Sequence, residues 1–541
     1  MLDRTSLSSA IRYEGGLSRR LFLAYGAALT SLPFVGARAI GRVVDQPKFA
    51  ADPFSLGIAS GDPSDTGMVL WTRLAPKPLE ELAGMPRENI VVRWELAEDE
   101  AMKTGLRTGN TVATPQLGHS VHVEVEGLKP DRWYFYRFRC GEATSPVGRT
   151  RTTPERQALP ESLRFAFASC QHYEQGLYTA YEHMAKDNLD LVFHLGDYIY
   201  EYPHNPNARN KPVRAHAGPK SGKIITLEDY RNRHAQYRSD LLLQKMHALC
   251  PWVVTWDDHE FDNNYANAIS EKNAKPETTV DPAVFLEQRA SAYQAYYEMM
   301  PLRKTSVPHG PDMKLYRTTS YGRLAEFQVL DTRQYRADQP NGDGAKELNE
   351  EALNPKNTIL GAKQAGWLKS ALLQSPATWN VLAQQVMMGM ADLASGAPKR
   401  YSMDQWPGYA HERMRLMQWI AERKIPNPVV LTGDIHSHWA NDLRIDDRKQ
   451  ESSPVAVEFV GSSISSGGNG TKPTPAMEKM LSENPFVKYH SRQRGYVRCT
   501  VTPKEWRGDY LVVPEVLKSG GPAEVSAAFV VEACKPELKK A

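Results

Sequence analysis

The sequence predicts a mixed α/β domain preceded by a smaller all-β module, and two patterns lead to this assignment. Between about residues 162 and 515, apolar runs of strand length alternate with segments of helical spacing. Between about residues 50 and 153, apolar and polar residues alternate as they do in half-buried strands. About 500 residues remain once residues 1–39 are set aside. This length exceeds one compact core and favours two lobes.

Six apolar runs in the larger region each end in polar residues. The runs are residues 163–169, 191–195, 252–256, 327–330, 379–383 and 429–432. The polar residues that follow them are Cys170, Asp197, the cluster 257–260, the segment 331–333, Gln384-Gln385 and the segment 434–438. Sites in α/β sheets form outside the carboxyl ends of the strands. We therefore predict one site that gathers these side chains.

The run that leads to Asp197 carries the most informative polar cluster. Gly196 and Asp197 follow the run, and Tyr200 stands three positions after the aspartate. Oxygen ligands at a strand end suit a hard cation, and a tyrosine binds a metal only when its phenol is deprotonated. Because a free phenol has a pKa of about 10, the pattern indicates a strong Lewis acid such as a trivalent ion. The alternative is a strand with a buried tyrosine and an ordinary loop aspartate.

Two helices and two loops are predicted around these strands. Residues 177–184 carry apolar side chains at helical intervals and join the first two strands as a βαβ unit. Thr226, with Asp229 three residues later, is typical of a capped helix start. Residues 202–222 are predicted either to line or cover the site or to be a solvated loop. The serine-rich segment 462–468 is predicted to be a flexible loop.

The N-terminal module is predicted to contain strands and tight turns. Its strand-like segments are residues 68–73, 90–95, 121–125 and 133–138. The turn at 127–131 before an aromatic strand resembles the fibronectin type III sandwich. Residues 152–154 are predicted to be a linker because proline interrupts both helices and sheet ladders. We predict a β domain over 50–153, a catalytic domain over 162–515 and a C-terminal tail over 516–541, frayed after Lys535.

Residues 1–39 are predicted to be a twin-arginine signal peptide. Arg19-Arg20 precede an apolar stretch that ends at Val35, and Ala37-Arg38-Ala39 offers small residues for cleavage. The alternatives, a membrane anchor or a buried helix, fit less well because the stretch is too short to span about 30 Å of hydrocarbon. The protein is therefore expected to use the twin-arginine export machinery and to be periplasmic or secreted. No later segment is long and apolar enough to form a transmembrane helix.

The charge argues against one further class of protein, and the cysteine content points to a candidate free thiol. Residues 1–39 hold five arginines and two acidic residues, a net charge of +3 that equals the formal charge of the whole chain. The remainder is nearly neutral, so the composition gives no sign of a nucleic-acid-binding surface. The chain has five cysteines. This number is small for an exported chain and odd, so one cysteine stays free if others pair, and Cys170 is the candidate for that free thiol.

With these clusters assembled, the chain resembles the calcineurin-like metallophosphoesterases, and among them the PhoD-type alkaline phosphatases and phosphodiesterases. The segment 196–200, Gly-Asp-Tyr-Ile-Tyr, matches the Gly-Asp-x-x-Tyr element of the superfamily's purple branch. Three elements differ from the general pattern. Cys170 stands where the superfamily has a first aspartate, residues 257–260 replace Gly-Asn-His-Glu, and residues 434–438 replace Gly-His-x-His. The resemblance implies a β-sandwich core flanked by helices.

The resemblance also implies a metal centre with at least two positions. Ferric iron (Fe3+) would be bound by Cys170, Asp197, Tyr200 and His438, with Asp197 bridging to the second position. One or two calcium ions (Ca2+) would be bound by Asp258, Asp434 and His436, since hard oxygen ligands favour calcium over zinc. Asn263 is a reserve oxygen ligand.

The implied activity is hydrolysis of phosphate monoesters or diesters by direct in-line attack of a metal-bound nucleophile. His259 would contact the phosphoryl group or protonate the leaving oxygen, or else orient Asp258. Arg333 would clamp phosphate oxygens, or else form a salt bridge with Asp331. Expected substrates are small phosphate esters. Phospholipid or polymer phosphodiesters are further candidate substrates. Phospholipase-D-like cleavage of lipid headgroups is the first alternative activity, and a non-catalytic protein that binds metal or phosphate esters is the second.

Overall fold

A computed structural model describes residues 43–207, 212–219, 222–274 and 278–541. The predicted signal peptide, residues 1–39, lies outside the described residues. Within the described residues, no helix has both the length and the apolar composition needed to cross a membrane.

The N-terminal region is all-β, as predicted from its alternating pattern. Its strands are β1 (Val43–Val44), β2 (Ile58–Gly61), β3 (Met68–Arg73), β4 (Asn89–Ala97), β5 (Arg107–Ala113), β6 (Ser120–Val125), β7 (Trp133–Cys140), β8 (Ala143–Thr144) and β9 (Gly148–Arg151). β4 and β7 are the centre of a six-stranded sheet, and β2, β3 and β6 form a second layer. Ile58, Leu70, Ile90, Tyr136 and Phe138 belong to the core that these strands share. The resemblance to a fibronectin type III sandwich stays a prediction.

The larger region contains sixteen strands among the described residues. They are β10 (Leu163–Ala168), β11 (Leu191–Leu195), β12 (Trp252–Thr255), β13 (Arg317–Tyr321), β14 (Ala325–Val329), β15 (Ala345–Lys346), β16 (Trp379–Ala383), β17 (Tyr401–Ser402), β18 (Pro428–Thr432), β19 (His438–Leu443), β20 (Ala456–Val460), β21 (Gly470–Thr471), β22 (Val487–Val501), β23 (Glu505–Val513), β24 (Glu524–Glu532) and β25 (Lys539–Lys540). All six apolar runs identified in the sequence form strands.

Seven α-helices are present in the described part of the chain. They are α1 (Thr179–Met184), α2 (Leu227–Arg238), α3 (Leu241–Leu249), α4 (Pro282–Met299), α5 (Gly361–Gln374), α6 (Ala410–Glu422) and α7 (Pro475–Ser482). Short 3₁₀ segments occur at Glu81–Gly84, Pro115–Leu117, Glu271–Ala274, Lys304–Ser306, Pro340–Gly342 and Trp406–Tyr409. The predicted cap of α2 is confirmed, because Thr226 and Asp229 form a reciprocal capping box.

Two sheets face each other and share the long strand β22. The first has the order β25-β24-β23-β22-β10-β11-β12, and the second has the order β13-β14-β16-β18-β20-β19-β22. Phe193 of the first sheet lies 4.6 Å from Phe327 of the second, measured between ring centroids. The core between the sheets is therefore continuous and apolar.

Helices cover the outer faces of both sheets. α1, α2, α3 and α4 contribute to the core on the β11–β12 side, whereas α5 and α6 contribute to the core behind β16 and β18. The parallel strands β10, β11, β12, β14, β16 and β18 are thus buried on both faces, which explains why the six runs are apolar throughout.

The strands that carry the predicted site are parallel within each sheet. β10, β11 and β12 run in one direction in the first sheet. β14, β16 and β18 run in one direction in the second. Their carboxyl ends meet at one edge of the two-sheet core, so the polar residues that follow them lie close together.

The residues after Lys535 are not frayed, so this part of the prediction for the C-terminal segment was wrong. β24 pairs with β23 along its whole length, and β25 pairs with β24 at Lys539 and Lys540. Phe529 and Leu538 are buried in the core between the sheets. The polar residues after Lys535 suggested fraying, but the buried side chains on alternate positions of β24 hold the segment in the sheet.

All five cysteines are free thiols in the structure. Four of them are buried, and Cys534 is exposed. The two sheets and their helices therefore hold together by packing and hydrogen bonding, without a covalent cross-link between cysteines.

We predict that Phe529→Ala lowers the free energy of unfolding by about 3 kcal/mol or more, because it removes a ring from the core between the sheets. Val525→Ala on the same strand is the matched control. Val525 is half exposed, so we expect a change within about 0.5 kcal/mol. Equilibrium unfolding in denaturant measures both values. Equal, small effects would show that β24 contributes nothing to the core.

Candidate metal centre

Gly196 allows the loops after β11 and β12 to come together. Its φ is +107°, and a Cβ on this residue would lie 2.3 Å from the Cβ of Asp257. A side chain at position 196 would therefore push the Asp257 loop away and would also strain the backbone. This close approach brings the aspartates of the two loops into one site.

Four candidate ligands have left-handed backbone conformations. The φ angles are +59° at Cys170, +54° at Asp197, +59° at Asp434 and +53° at His436. Non-glycine residues rarely adopt this region, and each such residue costs about 1–3 kcal/mol unless its surroundings enforce it. Such strain concentrates at functional sites. Four of the predicted ligands share this feature.

Glu260 is one of the groups that enforce this conformation. Its buried carboxylate accepts hydrogen bonds from the backbone N–H groups of Asp197, Tyr198 and Asp257. Burial and the nearby Asp197 carboxylate raise the pKa of Glu260 to about 8. The sequence placed Glu260 in the polar cluster after β12 but assigned it no role. The structure shows that it ties the β11 and β12 loops together.

The first group of candidate ligands consists of Cys170, Asp197 and His436. One ligand atom from each of the three lies within 4.8 Å of the other two. The hydroxyl of Tyr200 lies 2.8 Å from Asp197 Oδ2 and 3.1 Å from His436 Nε2. A thiol, a carboxylate, a phenol and an imidazole therefore converge, and this donor set suits ferric iron.

His438 does not lie in this group, although the sequence analysis placed it there and placed His436 at the second position. The Nδ1 atom of His438 accepts the backbone N–H of Ser462 at 3.0 Å. In a neutral imidazole the other nitrogen then carries the proton, so it has no lone pair for a metal. The ring packs edge-on against Tyr510. Burial lowers the pKa of His438 to about 3. His436 therefore lies where His438 was expected, and His438 belongs to none of the ligand groups found among the described residues.

Two further groups of ligand atoms continue from the first. Asp197, Asp258 and His259 form one, and Asp257, Asp258 and Asp434 form the other. Asp197 is shared with the first group, and Asp258 is shared between these two. Asp257 Oδ2 and Asp258 Oδ1 are buried and accept no hydrogen bond in the structure. Arg333 Nη2 lies 3.4 Å from Asp258 Oδ1 without forming a hydrogen bond to it. Buried carboxylate oxygens that accept no hydrogen bond are costly unless cations compensate them, so the residues present fit a divalent ion.

The role of Asn263 as a reserve oxygen ligand stays a prediction. The side-chain amide of Asn263 donates a hydrogen bond to Glu271. Its backbone N–H donates to Glu201 at 3.1 Å.

Arg333 is fully buried and contacts four carboxylates. Its Nε contacts Asp257, and Nη2 lies 2.7 Å from Asp434 and 3.4 Å from Asp258. Its Nη1 donates to Asp404 at 2.9 Å. The guanidinium is therefore not free to clamp phosphate in this arrangement, contrary to the prediction. It does not pair with the Asp331 side chain either, because only the backbone N–H of Arg333 bonds to that carboxylate.

The charge of Arg333 offsets the cost of burying these acids. Burial raises the pKa of Asp434 to about 7, although Arg333 acts in the opposite direction. At Asp258 burial also favours the neutral acid, but Arg333 and His259 together hold its pKa below the ordinary value. Asp258 is therefore ionised at neutral pH and suited to bind a cation. Asp404, which holds Arg333 in place, follows none of the six apolar runs, so no local sequence signal identified it.

The carboxylate of Glu201, which the sequence analysis missed, holds His259 in place. Its Nδ1 lies 2.7 Å from Glu201 Oε2, and Glu201 Oε1 accepts a hydrogen bond from Lys223 Nζ at 2.8 Å. Burial lowers the pKa of His259, but Asp258 and Glu201 outweigh it, so the net pKa lies well above the ordinary value. Glu201 directly follows Tyr200, the last residue of the Gly-Asp-x-x-Tyr element. This position was the one feature of the sequence that could have identified it as a site residue.

Part of the loop 202–222 lines the site. The ring of Tyr202 meets the ring of His259 edge-on at 5.2 Å between centroids. Lys223, at the end of the loop, pairs with Asp262 as well as Glu201. Within the described residues of this loop, the prediction that it lines the site is thus supported.

Comparison with known proteins identifies the family. A family model described as PhoD-like phosphatase matches residues 165–510, and one described as PhoD-like phosphatase, N-terminal domain, matches residues 39–154. The chain belongs to the PhoD-like phosphatase family. The resemblance inferred from the sequence motifs is therefore confirmed, and the protein is an enzyme that hydrolyses phosphoric esters.

Two PhoD-like relatives cover nearly the whole chain. Alkaline phosphatase D of Bacillus subtilis (strain 168) is 51% identical over 513 residues, which is 94% of this chain and 86% of that protein. A solved structure described as "Structure of PhoD" has a TM-score of 0.87 and 51% identity, and the match covers 91% of this chain and 93% of that one. Family membership excludes the non-catalytic alternative.

We predict that Arg333→Met destabilises the protein by about 3–5 kcal/mol, because it leaves buried carboxylates without a cation. Calcium should restore part of this loss. The measurement is thermal unfolding in calcium and in EDTA. Arg336→Met is the matched control, since Arg336 is equally buried and pairs with Asp404 only. It should be destabilised but respond to calcium as the parent does. An equal calcium response in both variants would contradict the role given to Arg333.

Proposed function

We propose that this PhoD-like protein is a metal-dependent hydrolase of phosphate monoesters and diesters. The observation that carries this proposal is the continuity of the three ligand groups. Asp197 belongs to the first and second groups, and Asp258 belongs to the second and third. Neighbouring groups that share carboxylates are what a multi-metal phosphoesterase needs to hold cations a few ångströms apart.

For the first position we propose ferric iron, bound by Cys170, Asp197, Tyr200 and His436. His436 takes the place that the sequence analysis gave to His438, for the hydrogen-bonding reason described above. For the adjoining positions we propose one or two calcium ions. Asp258 and Asp434 would bind them, with Asp257 as an added ligand. Carboxylate oxygens without a thiolate favour calcium there.

The residues around the proposed cations have distinct roles. Bound cations neutralise the anionic phosphate oxygens and lower the pKa of a bound water. His259 Nδ1 would donate its proton to Glu201, and because Asp258 and Glu201 raise the pKa of His259, the ring would also carry a proton on Nε2 and would donate that one to the leaving oxygen. Arg333 would keep Asp258 and Asp434 in place by pairing with both. Tyr202 would limit access of water beside His259.

The substrate class is proposed as small phosphate monoesters and diesters. A phospholipase-D-like action on lipid headgroups remains the second candidate within the same chemistry. Parallel assays with p-nitrophenyl phosphate, bis-p-nitrophenyl phosphate and phosphatidylcholine vesicles rank the three classes, and release of choline identifies the lipid activity.

The organisation along the chain supports an exported enzyme. We propose that residues 1–39 direct twin-arginine export, so that the metal centre is assembled before the protein reaches the periplasm or the medium. We also propose that residues 50–153 form a separate β domain in front of the catalytic domain that starts near residue 162.

Asp197→Asn should lower kcat/KM by more than about 100-fold, because it replaces the carboxylate that two ligand groups share with a neutral amide. Hydrolysis of p-nitrophenyl phosphate and of its bis-ester measures the loss, and metal analysis should show less iron in the variant. Asp446→Asn is the matched control. Asp446 is buried and pairs with Arg448 outside the site, so activity and metal content should stay at the parent level. Full activity in Asp197→Asn would overturn the proposed centre.

A further inference from the structure

The serine-rich segment 462–468, predicted to be a flexible loop, is a packed wall of the first ligand group. Residues 462–466 are fully buried. Ser463 forms a bridge with Ser169, and the backbone N–H of Ile464 donates to the carbonyl of Ser169. The segment therefore continues the edge of the sheet directly behind Cys170.

Ser466 contacts two candidate iron ligands at once. Its hydroxyl lies 2.7 Å from the carbonyl oxygen of Cys170 and 2.7 Å from the hydroxyl of Tyr200. A serine hydroxyl has one proton, so it can donate to only one of these acceptors. The Cys170 carbonyl also accepts the backbone N–H groups of Ser465 and Ser466, at 3.4 and 3.3 Å. That carbonyl therefore keeps partners when the hydroxyl donates to Tyr200.

Deprotonation of Tyr200 decides where this proton goes. A phenolate is an anionic acceptor and forms a stronger hydrogen bond than a neutral carbonyl does. Once Tyr200 binds a metal as a phenolate, the Ser466 hydroxyl should donate to it.

Arg494 brings a positive charge to the same wall. It is 3% exposed, and its Nη1 contacts Ser463 Oγ and the carbonyl oxygen of Ser466. Its Nη2 donates to the carbonyl oxygen of Arg492, and its Nε has no hydrogen-bond partner. All these acceptors are neutral. Among the described residues, no carboxylate lies within ion-pair distance of Arg494, and the guanidinium reaches the first ligand group through Ser466, whose carbonyl oxygen it contacts and whose hydroxyl lies 2.7 Å from the Tyr200 hydroxyl.

A buried cation without a carboxylate partner is costly. The cost would fall if Tyr200, which Ser466 separates from Arg494, became a phenolate on binding a metal.

We propose that Ser466 and Arg494 are positioning residues for the first metal, which draw electron density from the Tyr200 phenolate, Ser466 by a hydrogen bond and Arg494 by its charge behind Ser466, and so set the redox balance of the bound iron. This inference rests on the proposed function, because it assumes iron at that position. A hydrogen bond to the phenolate oxygen weakens its donation to the metal. A nearby positive charge favours the reduced form of the metal over the oxidised one.

Ser466→Ala is the first test. The phenolate-to-iron absorption band of the purified protein should move to longer wavelength, because the donor orbital rises when the hydrogen bond is lost. Ser465→Ala is the matched control. It makes the same change on the same buried loop, but the Ser465 hydroxyl donates to the carbonyl of His172 and touches neither ligand. Its band should coincide with that of the parent.

Comparison of Arg494→Gln with Arg494→Lys separates the effect of the positive charge at position 494 from the effect of side-chain shape. Redox titration should give a lower reduction potential for Arg494→Gln than for the parent, whereas Arg494→Lys, which keeps the charge, should lie nearer the parent. Circular dichroism of each variant checks that it has folded. If Arg494→Gln does not fold, Ser466→Ala against Ser465→Ala still decides the proposal.

Two failures are distinguishable. A parent protein that contains no iron and no visible band would overturn the proposed iron site itself. An iron-loaded parent whose band is equally unmoved by Ser466→Ala and Ser465→Ala would leave the phosphoesterase intact and overturn this inference alone.

Discussion

The concentration of carboxylates at the carboxyl ends of two sheets is the constraint on which the structure of the site depends. Asp197, Asp257 and Asp258 are buried within a few ångströms of one another. Such charges cannot be buried without compensation. Arg333 and His259 supply part of it from the protein, and the arrangement leaves carboxylate oxygens without hydrogen bonds for cations to complete it. The same buried carboxylates therefore affect both the stability of the protein and its capacity to bind metal ions.

The loops that carry the ligands are held by hydrogen bonds that they could not form alone. Left-handed backbone at Cys170 and Asp197 is unfavourable in an isolated loop. The Glu260 carboxylate binds the N–H groups of the β11 and β12 loops, and the segment 462–466 packs behind Cys170. The strain is thus offset by groups far away along the chain. This is how a rigid two-sheet core positions flexible polar side chains to within hydrogen-bonding distance.

The N-terminal region is attached to the catalytic core at several points away from the site. β2 meets β12 at Gly61 and Trp252. The indole N–H of Trp71 donates to the carbonyl of Glu298, and Arg317 pairs with Asp62. β12 and α4, which these contacts reach, also adjoin the site. The β region therefore supports the elements that carry Asp257 and Asp258, although it contributes no ligand to the groups in the described residues.

The sequence by itself determined that the six apolar runs form strands, where these strands end and to which protein family the polar residues after them point. An apolar run followed by Asp197, Asp258 or Asp434 is a local pattern, and a local pattern can be recognised in the sequence without the fold. Only the tertiary structure decided which side chains contact one another in the site. His438 is excluded as a metal ligand because the backbone N–H of Ser462 donates a hydrogen bond to its Nδ1. The role of Arg333 depends on its pairing with Asp404, which lies 71 residues away in the sequence. The pairing of β24 likewise needed the opposite sheet. These features rest on contacts between distant segments, which no spacing in the sequence encodes.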